Sequence, residues 1–159
     1  VTSMEIIDNV LPHIGGEEEK MESESRKLLG EFDGAELSWH DVDVTASCNR
    51  VATLDGHLEN VFAELAEDAS ASDVEAAFRE APTIDLQSAP DELIKVFEDP
   101  NRPQPRLDRN LNDGQGIATG PVQETSDGVQ FDCLAHNTIR GAAGASVLNG
   151  ELLVEEDYL

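Results

Sequence analysis

Apolar residues recur at helical spacing in four segments of the chain. Residues 3–11 carry them up to Pro12, and residues 17–29 are rich in helix-forming residues. A third helix is predicted over residues 72–81, because Ser72-Asp73-Val74-Glu75 has the capping-box pattern of a helix start. The pattern predicts a last helix over residues 141–154.

Shorter segments alternate partly between apolar and polar residues, which indicates strands. The predicted strands cover residues 42–51, 57–65, 93–97, 117–123 and 129–134. Residues 57–65 fit a strand or a helix, and the hairpin-like signal of Asp55-Gly56 between two apolar runs favours the strand. A turn around Asp127-Gly128 joins the last two strands. The proline-rich residues 99–106 cannot lie within a sheet.

The order of these elements shows no regular β-α-β alternation and no internal repeat. Such an order predicts the α+β class, with a mixed or antiparallel sheet covered by helices. A length of 159 residues is typical of one domain, and we expect a single domain over residues 1–159.

Acidic residues dominate the charge of the chain. The sequence has 34 Asp and Glu against 10 Lys and Arg, a formal net charge of −24. A polyanion repels nucleic acid and anionic lipid, so we expect neither as a partner. The acidic residues are spread along a chain with patterned apolar segments, which argues against disorder and favours an acidic surface suited to a salt-loving host. No apolar stretch approaches the roughly 20 residues of a membrane span, and we expect a soluble, cytoplasmic protein.

Arg50 and His57 are the first candidates for chemistry. A predicted strand end and a glycine turn separate them, so both side chains can project toward one cleft. A guanidinium binds a carboxylate through two hydrogen bonds, each contributing about 1.5–3 kcal/mol. An imidazole exchanges a proton near neutral pH. The alternative is that Arg50 is a surface cation and His57 an ordinary turn residue.

Glu17 and Lys20 lie three residues apart, on one face of a predicted helix. Lysine suits the binding of an anion because it is a compact point charge. The alternative is a solvated ladder of ion pairs that joins Glu17, Lys20, Glu24 and Lys27. Only three lysines occur in the chain, which favours a specific task for Lys20.

The segment from Asn137 to Gly144 lies where a predicted strand leads into the last helix. Small residues and free amides at a helix N-terminus favour the close approach of a cofactor. The segment lacks the G-x-G-x-x-G pattern that binds phosphate. The alternative is a packing turn in which Asn137 caps the helix.

The other chemically versatile residues suggest structural roles. Cys48 and Cys133 have neither disulfide nor metal-ligand spacing, and His13, His40 and His136 lack partners at ligand or triad spacing. We therefore expect no metal site. The segment from Arg102 to Arg109 holds three of the seven arginines. These arginines pair with acidic surface across a subunit contact, or they neutralise their own neighbourhood.

Four stretches together resemble the archaeal and fungal-type branch of the aspartate-semialdehyde dehydrogenases. They occur in the family's order and cover nearly the whole chain, as the C-terminal, substrate-binding and dimerisation half. The stretches are Gly16-Glu17-Glu18-Glu19-Lys20-Met21-Glu22-Ser23-Glu24, Cys48-Asn49-Arg50-Val51 with Asp55-Gly56-His57, Arg102-Pro103-Gln104-Pro105-Arg106-Leu107-Asp108, and Asn137-Thr138-Ile139-Arg140-Gly141-Ala142-Ala143-Gly144.

The resemblance implies a role for each candidate. Arg50 would clamp the α-carboxylate of the substrate, and His57 would be the acid/base catalyst. Glu17 and Lys20 would contact the substrate and the phosphate. The segment that contains Asn137 and Gly141 would close over the nicotinamide end of NADP, with Asn137 as the direct contact.

The implied reaction reduces aspartyl phosphate to aspartate semialdehyde and phosphate with NADPH, through a cysteine thioester. It feeds lysine, threonine and methionine synthesis, in a homodimer or homotetramer. The family's Rossmann domain and its cysteine segment have no counterpart in these 159 residues, so we expect the isolated chain to be inactive. The alternatives are half of a malonyl-CoA-reductase-like acyl-thioester reductase and a non-catalytic dimerisation module.

Overall fold

A computed structural model describes residues 3–159 of the chain. The chain forms two compact units, one up to Ala52 and one over Thr53–Leu159. The single domain that the sequence predicts stays a prediction. None of the described helices is long and apolar enough to cross a membrane.

The unit up to Ala52 is built on one long helix. Helices α1 (Ser3–Ile6) and α2 (Glu17–Leu28) are followed by strands β1 (Glu31–Phe32) and β2 (Leu37–Ser38), which pair antiparallel. The predicted helix over residues 17–29 is confirmed. The predicted helix over residues 3–11 is confirmed only in its first turn.

The strand predicted over residues 42–51 is wrong. Within this segment only Arg50 forms a β-bridge, with Leu11. The amide of Ala46 instead donates to the Glu22 carboxylate at 3.4 Å, and the amide of Cys48 donates to the Glu18 carboxylate at 3.1 Å. Carboxylates of α2 therefore occupy amides that a strand would offer to a neighbouring strand.

The unit over Thr53–Leu159 contains a five-stranded mixed sheet. The strands β3 to β7 have the order β3-β7-β5-β4, with β6 also paired to β7. The pair β4 and β5 is parallel, and the other pairs are antiparallel. The strands are β3 (His57–Glu64), β4 (Ile94–Val96), β5 (Ile117–Thr119), β6 (Gln123–Glu124) and β7 (Gly128–Ala135).

Three helices accompany the sheet, which confirms the α+β class. They are α3 (Ala71–Arg79), α4 (Pro105–Asp108) and α5 (Gly144–Glu155). The ring of Phe78 on α3 meets that of Phe131 on β7 edge-on at 5.1 Å. Apolar residues of the sheet and its connections form the buried core, namely Val96, Ala118, Val122, Val129 and Leu134.

Several boundaries in this unit differ from prediction. Ser70, and not Ser72, caps α3, and it forms the capping box with Asp73. The single strand predicted over residues 117–123 is divided into β5 and β6, because Pro121 has no amide hydrogen for the ladder. The Asp55-Gly56 turn does not form a hairpin with a preceding strand, since β3 pairs with the distant β7.

Candidate functional site

Arg50 is held by its backbone and leaves its side chain exposed. Its amide donates to the Leu11 carbonyl at 2.9 Å, and its carbonyl accepts from the Leu11 amide at 3.0 Å. No hydrogen bond or ion pair joins its guanidinium to another residue of the described chain. Because Glu18 and Glu22 hold the amides just before it, this guanidinium is presented from an ordered backbone and is available to an anion.

Glu17 and Lys20 lie in the first turn of α2, which begins after Gly16 at φ 82°. Glu17 is half-buried and Lys20 is exposed. Within residues 3–159, neither Lys20 nor Lys27 lies within ion-pair distance of a carboxylate. The ladder of ion pairs is therefore not formed, and Lys20 has its charge available for a ligand.

Glu18, which the sequence did not single out, makes structural contacts from α2, as Glu22 does. It accepts from the Cys48 amide, and one of its oxygens lies 3.6 Å from Nδ1 of His13. The Cys48 thiol lies 3.5 Å from Sδ of Met21 on the same helix. These contacts support the structural role that the sequence predicts for Cys48 and His13.

The turn before His57 is tightly enclosed. Gly56 has φ +110°, and a Cβ placed on it would lie 3.1 Å from Cδ1 of Leu134 and 3.4 and 3.5 Å from the Cβ atoms of Pro105 and Arg109. Only glycine fits this conformation without strain. His57 begins β3 directly after the turn, and its exposed side chain has no hydrogen-bond or ion-pair partner among residues 3–159.

Asn137 contacts this same turn. Its Oδ1 accepts a hydrogen bond from the Gly56 amide at 2.9 Å. The sequence offered no signal for this bond, because 81 residues separate the two partners. The fold therefore joins the predicted cofactor segment to the turn that carries the predicted acid/base residue.

The segment after Asn137 begins with a π-helical turn, Ile139–Ala143, that leads into α5. Nδ1 of His136 accepts from the amides of Thr138 and Ile139 at 3.2 and 3.4 Å, so its proton resides on Nε2. The Gly141 amide donates to the His136 carbonyl at 2.9 Å. The free amides expected here are therefore largely used within the turn, and buried His136 has the structural role predicted for it.

The two glycines of this segment differ in their surroundings. A Cβ on Gly141 would meet only the His136 carbonyl, at 3.6 Å, whereas a Cβ on Gly144 would lie 2.4 Å from Nε2 of Gln115. A Cβ on Gly144 would therefore displace the side-chain amide of Gln115, whereas Gly141 is open to a ligand. Nδ2 of Asn137 has no partner among the described residues and can donate. These features fit the carboxamide of a nicotinamide.

The arginine-rich loop packs against the turn before His57, through the Cβ atoms of Pro105 and Arg109 near Gly56. Arg102 pairs with buried Asp108 through two hydrogen bonds and lies 4.4 Å over the Phe97 ring. Burial raises the pKa of Asp108, but hydrogen bonds from Arg102 and the Gln104 amide outweigh it, so this pKa lies below its ordinary value. For Arg102, the alternative in which it neutralises its own neighbourhood is therefore confirmed, because its partner Asp108 lies in the same segment. Arg109 is half-buried, without an ion-pair partner in the described chain.

Cys133 is a poor nucleophile. Its thiol lies 3.8 Å from the Glu59 carboxylate across the β3–β7 pair. Burial, followed by the charge of Glu59, raises the pKa of Cys133 to about 12. At neutral pH the thiol therefore stays protonated, whereas nucleophilic cysteines need a thiolate. Among residues 3–159, no group of three or more His, Cys, Asp or Glu residues could hold a metal ion.

The structure thus brings some predicted site residues together. Asn137 contacts the His57 turn in one unit, and Glu18 and Glu22 organise the backbone before Arg50 in the other. The convergence of Arg50 and His57 on one cleft, with Glu17 and Lys20 at its rim, stays a prediction.

Comparisons with known proteins identify the class of this fold. The model of the semialdehyde dehydrogenase dimerisation domain matches residues 1–140, and the chain belongs to that family. The chain is 46% identical over its whole length to an aspartate-semialdehyde dehydrogenase of Archaeoglobus fulgidus, of which it covers 47%. It is 42% identical over its whole length to the Aspergillus fumigatus enzyme, again covering 47%.

Two solved structures of aspartate-semialdehyde dehydrogenases also match this chain. The aspartate-semialdehyde dehydrogenase of Candida albicans with NADP matches the whole chain with a TM-score of 0.91 and 36% identity, over 48% of that structure. Aspartate-semialdehyde dehydrogenase II of Vibrio cholerae, complexed with ASA, matches 99% of the chain with a TM-score of 0.79 and 25% identity, over 44% of that structure. The chain spans about half the length of these relatives and corresponds to their C-terminal half.

Proposed function

We propose that this chain is the substrate-binding and dimerisation half of an NADP-dependent aspartate-semialdehyde dehydrogenase. The observation that carries the proposal is the hydrogen bond from the Gly56 amide to Asn137, which joins the predicted cofactor segment to the turn before His57. The chain is also 46% identical to such an enzyme. The relatives are named aspartate-semialdehyde dehydrogenases, which supports this function over an acyl-thioester reductase or a non-catalytic module.

In this proposal, the unit up to Ala52 binds the anionic ends of the substrate. Arg50 forms two parallel hydrogen bonds with the α-carboxylate of aspartate semialdehyde or aspartyl phosphate. Lys20 offers a point charge to the phosphate, and Glu17 accepts from a donor group of the substrate. The absence of ion pairs at Arg50 and Lys20 within the described chain supports this role, in a protein with 34 acidic residues.

His57 performs the acid/base chemistry. Its exposed imidazole lies at the start of β3, on a backbone enclosed by Leu134 and Pro105. NADP, when bound, supplies or accepts the hydride. Nδ2 of Asn137 donates to its carboxamide, and the open side of Gly141 admits the ring. Most cofactor contacts belong to the Rossmann half, so binding to this chain alone is weak. The product feeds lysine, threonine and methionine synthesis.

The β3 edge of the sheet supports a homo-oligomer, either a dimer or a tetramer. Leu58 and Phe62 lie on one face of this strand, with exposed fractions of 45% and 74%. The opposite face carries Val61, whose neighbour Phe131 packs against α3. Exposed apolar side chains on one sheet face are typical of a subunit contact, and the family model describes a dimerisation domain.

Substitution of Arg50 tests the proposal. The assay uses a joined enzyme, in which this chain follows the N-terminal half of the Archaeoglobus fulgidus relative. We expect Arg50→Ala to lower kcat/KM for aspartate semialdehyde by about 10- to 150-fold, since a hydrogen bond to a charged group contributes about 1.5–3 kcal/mol. Arg50→Lys keeps the positive charge but loses the planar guanidinium with its paired donors. Its kcat/KM should lie between those of the wild type and Arg50→Ala.

Arg79→Ala is the matched control, because Arg79 already pairs with Glu75 on α3 at 3.0 Å. It should leave kcat/KM within about twofold, as expected for an exposed pair. An Arg50→Ala enzyme with wild-type kcat/KM for aspartate semialdehyde would refute the carboxylate clamp.

The acidic composition supports a salt-loving cytoplasm as the setting of this protein. We expect the thermal unfolding midpoint to rise between low and molar KCl, because screening relieves the repulsion of a chain with net charge −24. Sucrose of equal osmotic strength is the control and should produce a smaller rise, since it does not screen charge. A midpoint that stays flat or falls in KCl would count against this setting.

A further inference from the structure

Among residues 3–159, the hydrogen bond between Gly56 and Asn137 is the one side-chain bond that reaches the backbone of the turn before His57. Gly56 donates from its amide, and Oδ1 of Asn137 accepts at 2.9 Å. Gly56 is half-buried. Without this acceptor its amide would depend on solvent in an enclosed position, which is unfavourable for a backbone donor.

Apolar packing encloses the same turn from other sides. Leu134 of β7 and Pro105 of α4 lie within 3.4 Å of the Cβ position of Gly56, and Cβ of Arg109 lies at 3.5 Å. These contacts limit where the turn can go, but they are not directional. The bond to Asn137 is directional, and it fixes the Asp55–Gly56 peptide plane, one residue before His57.

We propose that Asn137 is a positioning residue for His57, in addition to any contact it makes with the cofactor. The proposal rests on the function proposed above for His57. The two polar atoms of the Asn137 side chain then have different roles: Oδ1 accepts from the backbone amide of Gly56, and Nδ2 is left to donate to the cofactor. A displacement of the segment from Asn137 to Gly144 would therefore move the acid/base imidazole as well.

Substitutions of Asn137 can separate the role of Oδ1 from the role of Nδ2. Asn137→Asp keeps an acceptor of the same shape for the Gly56 amide and removes the Nδ2 donor. Asn137→Ala removes both. Asn149→Asp, at an exposed position of α5, adds the same charge away from the turn and is the matched control.

The first measurement is hydrogen exchange of the Gly56 amide, followed by NMR in the 159-residue chain. We expect Asn137→Ala to accelerate exchange by at least about fivefold, because the amide loses its acceptor. Asn137→Asp and Asn149→Asp should leave it within about twofold. Equal exchange in wild type and Asn137→Ala, in a variant with an unchanged circular dichroism spectrum, overturns the proposal.

The second measurement separates kcat from KM in the joined enzyme. Asn137→Ala should lower kcat by about 10- to 100-fold, because a displacement of about 1 Å at a catalytic group can cost that much. Asn137→Asp should raise KM for NADP while kcat stays within about fivefold. If Asn137→Ala keeps kcat while His57→Ala removes activity, the positioning role is wrong and the proposed function stands. If His57→Ala has no effect, the proposed function fails independently of the exchange result.

Discussion

The 159-residue chain by itself is expected to show no measurable NADP-dependent oxidation of aspartate semialdehyde. Thioester formation needs a cysteine that is a thiolate near neutral pH. Burial holds the pKa of Cys133 at about 12, and the Cys48 thiol packs against Met21 of α2. Well-oriented groups reach effective molarities of about 10⁵–10⁸ M, so the loss of the nucleophile and of most cofactor contacts removes nearly all turnover.

The measurement is NADPH formation by the purified chain with aspartate semialdehyde, phosphate and NADP in molar KCl. The same chain joined to the N-terminal half of the Archaeoglobus fulgidus relative should be active. Cys48→Ser and Cys133→Ser in the joined enzyme serve as controls and should retain activity. Turnover by the chain alone that survives Cys48→Ser would show that the chain holds a nucleophile outside this account.

Replacement of His57 has the next largest expected effect. His57→Ala in the joined enzyme should lower kcat by about 10²–10⁴, the usual contribution of a positioned acid/base group. KM should change much less than kcat, because the anionic ends of the substrate are assigned to Arg50 and Lys20. His57→Gln keeps a polar side chain that cannot carry the proton, and it should be nearly as slow as the alanine variant.

His40→Ala is the matched control for His57→Ala. His40 is exposed, and within the described chain only its backbone forms hydrogen bonds. Its amide donates to the Arg26 carbonyl, and its carbonyl accepts from Nε of Arg26. Its kcat should stay within about twofold of wild type. A folded His57→Ala enzyme with a kcat equally close to wild type would contradict the acid/base role.

Local patterns predicted those elements whose stability depends on neighbours in the sequence. Helix α2 follows from a run of helix formers, and its three acidic residues in the first turn suit the helix dipole. Residues 57–65 fit a strand or a helix, and the hairpin-like signal of Asp55-Gly56 favours the strand; β3 confirms the strand, although no hairpin forms there. The segment 129–134 predicts β7. The prolines of residues 99–106 correctly excluded a strand there.

Patterns failed where a distant partner competes for the backbone. Residues 42–51 alternate like a strand, but Glu18 and Glu22 of α2 accept two of their amides. The predicted capping box begins at Ser72, whereas Ser70 caps α3, because its hydroxyl accepts from the Asp73 amide and the Asp73 carboxylate accepts from the Ser70 amide. The strand that begins at Ile117 is shorter than its apolar run, because Pro121 has no amide hydrogen to donate to the ladder.

The sequence by itself determined the α+β class, the family and the candidate residues Glu17, Lys20, Arg50, His57, Asn137 and Gly141. These depend on residue type and on spacing along the chain, which a sequence records directly. Tertiary structure alone decided that Asn137 contacts Gly56, that Gly144 rather than Gly141 packs against the Gln115 side chain, and that Arg102 pairs with Asp108. The first two join residues far apart in the chain, and the third takes its geometry from a turn that packs on Phe97. Hydrogen bonds and packing depend on distance in space, so such contacts become visible only once the chain has folded.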